Sequence, residues 1–283
     1  MNGSSAAPVG VFDSGVGGLT VVRALVAALP REDFLYLGDT ARLPYGTKSS
    51  GTVARYSVRA AEALVERGIK ALVVACNTVS AVALDVLSGQ LTVPVIGVVE
   101  PGARAAVEAA RELQAAGVVR PKIGVLGTEG TVRSAAYVRA VQRQSTSYEV
   151  IAEAAPLLVP LAEEGWLSGD VPRLAAERYL KPLIDGGASV LLLGCTHYPL
   201  LEPVIREVAE RLSSGPIRIV DSGAATARAL SELLDARQLV APVSQPSLRL
   251  LATDLPASFH ARARRFLGGE VSEVEQVEID LRS

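Results

Sequence analysis

The chain has 283 residues, 49% of them apolar, and a formal net charge of -2. That length supplies one large α/β domain or two smaller ones, with ample material for buried cores. The near-neutral balance speaks against nucleic-acid binding, because a binder usually carries a basic face that shifts the whole sum. Residues 1–8 hold neither a basic stretch nor an apolar one, so no secretion signal is expected. Apolar runs such as 71–75 and 190–193 fall far below the roughly 18 residues that cross a bilayer. A cytoplasmic protein is expected, whose two cysteines, Cys76 and Cys195, stay as thiols.

In chain order, short apolar or β-branched runs predict strands at 9–12, 34–38, 71–75, 95–98, 122–126, 190–193 and 217–220, with a further one at 248–252. Helical patterns fall between them, at 19–29, 52–67, 103–116, 200–212 and 224–234, and near 259–267 at the end. Pro101 and Pro199 stand where a helix can begin, with proline in the first turn. Strands alternating with helices predict parallel sheets, and strands apolar throughout predict sheets covered on both faces.

The pattern also repeats. Val9-Gly10-Val11-Phe12-Asp13-Ser14 resembles Ile123-Gly124-Val125-Leu126-Gly127-Thr128, and Val73-Val74-Ala75-Cys76-Asn77-Thr78 resembles Leu192-Leu193-Gly194-Cys195-Thr196-His197. Two related parallel-sheet α/β domains are therefore expected, facing each other across a cleft, each with a cysteine at the C-terminal end of a strand. The first is expected over 9–99 and 217–283 and the second over 100–216. Ligands of open parallel sheets gather at those strand ends.

A free cysteine is often no more than a small buried residue. Here each one ends an apolar strand and precedes polar residues that can open a helix, where a thiolate is stabilised and carboxylates bind. A disulfide is not expected in a reducing compartment, and His197 and His260 are too few to complete a zinc site with two cysteines. His197 acting as base to a nucleophilic Cys195 would leave Cys76 without a task. Two equivalent thiols flanking one ligand suit proton removal on one face and delivery on the other, which is racemase or epimerase chemistry.

Asp13-Ser14-Gly15-Val16-Gly17-Gly18 follows a strand and precedes a helix, but Thr20 stands where a dinucleotide fingerprint needs its third glycine. The glycines are read instead as letting the backbone approach a small ligand, leaving Asp13 and Ser14 free to act. The segment from Gly38-Asp39 to Pro44-Tyr45-Gly46 is either an ordinary loop or part of the site. Asp221-Ser222-Gly223 reads better as a helix cap than as a second site.

Together these motifs resemble the glutamate racemase family of bacterial cell-wall synthesis, in order and along nearly the whole chain. The resemblance rests on Phe12 to Leu19, Gly38-Asp39 through Pro44-Tyr45-Gly46, Ala75-Cys76-Asn77-Thr78, and Gly194-Cys195-Thr196-His197-Tyr198-Pro199-Leu200. It implies cofactor-independent interconversion of L- and D-glutamate, supplying D-glutamate to peptidoglycan, by a homodimer. The catalytic cysteines would be Cys76, acting on D-glutamate, and Cys195, acting on L-glutamate, assisted by Asp13 and His197 respectively. Glu163 matches the family's assisting carboxylate, with Glu164 next door leaving the register open. Asp13, Ser14, Tyr45, Gly46, Asn77, Thr78, Thr196 and His197 match substrate-binding positions, and Thr128 and Thr131 a threonine pair lining the pocket. Ala155 departs from the pattern, where many members have a cysteine. No cofactor or metal is implied, and none of Lys48, Lys70, Lys122 and Lys181 sits where a Schiff-base lysine is expected. Related racemases acting on aspartate share the paired cysteines, and His197 favours glutamate. Some members of the family also inhibit DNA gyrase, which the near-neutral charge does not support.

Overall fold

The computed structural model describes residues 4–242, 246–254, 256–271 and 273–281. Residues 1–3 of the leader reading, and 243–245, 255, 272, 282 and 283 of the expected first domain, lie outside the described residues. The strands are β1 (Val9–Asp13), β2 (Phe34–Gly38), β3 (Ala71–Val74), β4 (Val95–Gly97) and β5 (Lys122–Gly127). They continue with β6 (Val150–Ala154), β7 (Ala188–Gly194), β8 (Arg218–Asp221), β9 (Leu248–Ala252) and β10 (Val274–Gln276). Two parallel sheets result, in the orders β10-β9-β2-β1-β3-β4 and β6-β5-β7-β8.

The sheets share a plan. In each, the second strand of the unit lies beside the first, then come the third and the fourth, so β1 corresponds to β5 and β3 to β7. Ser14 and Thr128 follow corresponding strands, as do Cys76 and Cys195. The repetition read from short apolar runs is thus also a repetition of topology.

The boundary expected at 217 does not coincide with the change of sheet. β8 pairs with β7, from Val190 opposite Arg218 to Leu193 opposite Asp221, and belongs to the second sheet. The chain rejoins the first sheet at β9, which pairs with β2. An apolar run such as Ile219-Val220 fits the edge of either sheet. The repeat decides its partner, since β8 stands to β7 as β4 stands to β3.

The helices are α1 (Leu19–Ala28), α2 (Ser50–Val65), α3 (Asn77–Val82), α4 (Leu84–Gln90), α5 (Val99–Ala115) and α6 (Glu129–Ser134). They continue with α7 (Ala136–Gln144), α8 (Leu158–Glu164), α9 (Asp170–Asp185), α10 (Glu202–Leu212), α11 (Ser222–Ala236) and α12 (Pro256–Leu267). Asp221 caps α11, its side chain accepting from the Gly223 N–H at 3.0 Å, so the cap reading of that motif holds. α11 packs between α1 and α5, and α5 lies against β7. One continuous buried cluster therefore joins Val11 and Val73 of the first sheet to Leu191 and Leu193 of the second. Among the described residues no helix is long and apolar enough to cross a membrane.

Candidate active site

Both thiols stand where their strands run out. β3 is apolar and wholly buried through Val74, and Cys76 is the N-cap of α3, its carbonyl accepting from the Ser80 N–H at 2.9 Å. β7 is buried along its length, and Cys195 follows it ahead of the short turn Tyr198–Leu201. Each cysteine is 5% exposed, and both line one cavity of about 360 Å³. That volume lies within the range of about 300–1,000 Å³ usual for small-molecule sites.

Ser14, Tyr45, Gly46, Asn77 and Thr78 reach the cavity from the first half of the chain, and Thr128, Glu163, Thr196 and His197 from the second. Asp13 and Thr131 do not line it. Asp13 is buried beneath, its Oδ2 accepting from the Gly15 N–H at 2.9 Å while Oδ1 has no hydrogen-bond partner. Thr131 stands behind Thr128, their hydroxyls 3.0 Å apart, and Thr78 lies 2.9 Å from Thr128 across the two halves. The Tyr137 hydroxyl of α7 donates to Asn77 Oδ1 at 2.6 Å and leaves the buried Asn77 Nδ2 without a partner. An unpaired buried donor in the wall of a cavity is placed to meet an acceptor such as a carboxylate.

Tyr45 contributes its ring to the lining, but its hydroxyl is committed to Asp39 Oδ2 at 2.6 Å. Asp39 also accepts from Arg42 at 2.6 Å and Thr253 at 2.8 Å. The polar side chains of the 38–46 loop therefore hold the loop itself in shape, while Tyr45 and Gly46 also line the cavity.

The surroundings of the two thiols differ. Cys76 donates to Ser14 Oγ at 3.5 Å. Burial pushes its thiol up to about 12, and the neighbouring Asp13 carboxylate adds to the rise, while Ser14 and the Val79 N–H oppose it. The sequence predicted a thiol lowered by a helix start. The Val79 N–H acts that way, but burial outweighs what a helix of six residues offers. Burial likewise raises Asp13, against the charge of His197 and the N–H groups of Gly15 and Gly18.

On the other side Cys195 Sγ lies 3.8 Å from His197 Nδ1, and His197 Nε2 lies 2.9 Å from Glu163 Oε1. Burial pulls the His197 pKa down, yet its hydrogen bonds to Cys195 and Glu163, with their charges, carry it up to about 10. Burial pushes Glu163 up, and the hydrogen bond and charge of His197, with Arg262, more than offset that and leave it lowered. Glu164, the alternative in register, is largely exposed and faces Arg262 at 3.7 Å. Geometry thus places Glu163 on His197.

The Asp/Glu/Hydantoin racemase family model matches residues 9–230. The chain belongs to that family. The glutamate racemase of Geobacter metallireducens is 49% identical over 274 residues, covering 96% of this chain and 97% of that protein. The crystal structure of Francisella tularensis glutamate racemase in complex with D-glutamate superposes with a TM-score of 0.86 at 33% identity, covering 98% of this chain and 99% of that one. That of Thermus thermophilus glutamate racemase in complex with beta-chloro-D-alanine gives 0.83 at 42% identity, with coverage of 98% and 99%. The protein is an amino-acid racemase with the two-sheet α/β fold of these enzymes.

Several residues that line this cavity or support it escaped the sequence reading. Glu129, Pro156, Val159 and Pro160 line the cavity from the start of α6 and around α8. Thr20, noted only as a missing glycine, donates its hydroxyl to the Thr196 carbonyl at 2.8 Å and so ties α1 to the Cys195 loop. Its signal was present in that departure from the fingerprint, but the partner lies too far along the chain to be read from it. Gly17 is required there for space: a Cβ would stand 2.3 Å from Thr196 Oγ1 and 2.5 Å from His197 Cε1.

Proposed function

We propose that this racemase interconverts L- and D-glutamate by a two-thiol acid–base mechanism without a cofactor, supplying D-glutamate for peptidoglycan. The observation that carries the reading is the pair of buried cysteines, one from the end of each sheet's third strand, lining a single cavity. With a thiol on either face of the α-carbon, Cys195 removes the proton of L-glutamate while Cys76 delivers one to the opposite face. The roles reverse for D-glutamate. Each cycle leaves the proton on the other thiol.

The α-proton of an amino acid is weakly acidic, so the developing negative charge needs donors already in place. Asn77 Nδ2 and the hydroxyls of Ser14, Thr78 and Thr196 are the groups we assign to the substrate carboxylates. His197, held cationic by Glu163, sets a positive charge beside Cys195, and Asp13 adjoins Cys76. None of the four lysines lines the cavity. The glutamate assignment is supported by the names of the relatives and by the D-glutamate bound to the Francisella enzyme.

Circular-dichroism assays of racemisation with L-glutamate, D-glutamate and L-aspartate test the substrate. Turnover of both glutamate enantiomers, with aspartate slower by about one to two orders of magnitude, is expected, because one missing methylene costs a site about 1–3 kcal/mol. Comparable rates for aspartate contradict the narrower assignment and leave an acidic-amino-acid racemase of broader range.

A further inference from the structure

The Cys195 side of the cavity is braced from outside by α12, an element that follows β9 of the first sheet and packs on α1 and β10. The Phe266 ring meets the His197 ring edge-on, with centroids 5.3 Å apart and planes at 81°. One turn earlier on the same helix face, Arg262 reaches Glu163 Oε2 at 3.5 Å and Glu164 Oε1 at 3.7 Å. The Arg265 guanidinium donates to the Glu163 carbonyl near the end of α8. The carboxylate of Glu163 is thereby divided, Oε1 to His197 Nε2 and Oε2 to the guanidinium.

We propose that Arg262 is a positioning residue of the racemase, holding Glu163 on His197 Nε2 and so fixing the ring whose Nδ1 faces Cys195. The inference rests on Cys195 being one of the two acid–base thiols. A single exposed ion pair stabilises a fold little. Here its partner is a mostly buried carboxylate that already spends one oxygen on the histidine, so its effect falls on the orientation of the couple. The groups facing His197 are Cys195 and Thr196 beside it, Glu163 from α8, Asp13 from the end of β1 and Phe266 from α12. Arg262 acts on the ring through Glu163.

The two enantiomers have equal free energy, so kcat/KM must be the same in both directions for any variant. A defect confined to the Cys195 side therefore shows in the deuterium isotope effects. If transfer to Cys195 slows, the effect with α-deuterated L-glutamate grows, and that with α-deuterated D-glutamate shrinks.

The test compares the full-length wild type with Arg262→Met, Arg262→Lys and Cys195→Ser, measuring racemisation against pH and the two isotope effects. Arg262→Met is expected to lose about twofold to fivefold in kcat, the scale of one ion pair, with isotope effects diverging as described, and Arg262→Lys to recover most of both. Wild-type kcat and isotope effects in Arg262→Met overturn the positioning role. So does a loss with unshifted isotope effects that lysine does not repair, which marks a packing defect. If Cys195→Ser racemises like the wild type, the two-thiol reading falls and this inference with it. If Cys195→Ser is dead and Arg262→Met is silent, the inference alone falls.

Discussion

Glu163 and His197 form the coupled pair that gives the Cys195 side its character, and the pair predicts a pH dependence. The His197 pKa, raised in the folded protein from 6.5 to about 10 by Cys195 and Glu163 against burial, means that the linked stability is full below about 6.5 and lost as pH rises through about 10. Glu163→Gln removes the charge while keeping the shape, so the His197 pKa falls and its proton is lost at lower pH. The expected result is a kcat lowered about tenfold to a hundredfold, with the alkaline limb of the pH–rate profile moved to lower pH. An unmoved limb would show that the limb does not report His197. At this scale much was legible: the cysteines, Asn77, Thr196 and His197 lie within contiguous motifs. The commitment of the Tyr45 hydroxyl to Asp39, and the reach of Arg262 and Phe266 to the far end of the site, were not, because they depend on packing between distant segments.

At the scale of elements, the glycine turn between β1 and α1 supports the Cys195 loop by close approach. A Cβ at Gly17 would run into the Thr196 hydroxyl and the His197 ring, and Thr20 bonds the Thr196 carbonyl. Gly17→Ala drives its methyl into the Thr196 hydroxyl and the His197 ring, whose side chains must give by about 1 Å. We expect a properly folded protein with racemisation reduced about a hundredfold, the usual consequence of misplacing reacting groups by that distance; near-normal activity by the same assay would show that the loop adapts. Strands buried on both faces were readable from apolar runs, and β2 and β9 coincide with their predicted ranges at 34–38 and 248–252. The edge strands β6 and β10 were not marked, since β6 is half-buried throughout and carries Glu153, and β10 is short and mostly exposed. α6 and α7 were missed because the helical stretch is broken at Ala135, whose φ of 53° ends one helix and starts the next.

Across the whole molecule, duplication explains why one cavity holds two cysteines. Each unit delivers its third-strand cysteine to the same place, and the halves are joined there by Tyr137 to Asn77, Thr78 to Thr128, and the Gly130 N–H to the Gly46 carbonyl at 2.9 Å. The repeat was visible in the sequence, whereas the sheet that β8 joins was not, because an apolar edge strand does not name its neighbour. The duplicated parts are nevertheless unequal in chemistry. Burial and Asp13 raise the pKa of the Cys76 thiol, whereas Cys195 stands beside His197, whose pKa is raised by its hydrogen bonds to Cys195 and Glu163.

The two-thiol claim is tested most directly by α-proton exchange in D₂O, followed by NMR with each glutamate enantiomer and no added cofactor, for the wild type, Cys76→Ser and Cys195→Ser. The account predicts that the wild type inverts both enantiomers and incorporates deuterium into the product, and that each variant loses racemisation by about a thousandfold or more. Racemisation at the wild-type rate in either variant would contradict it.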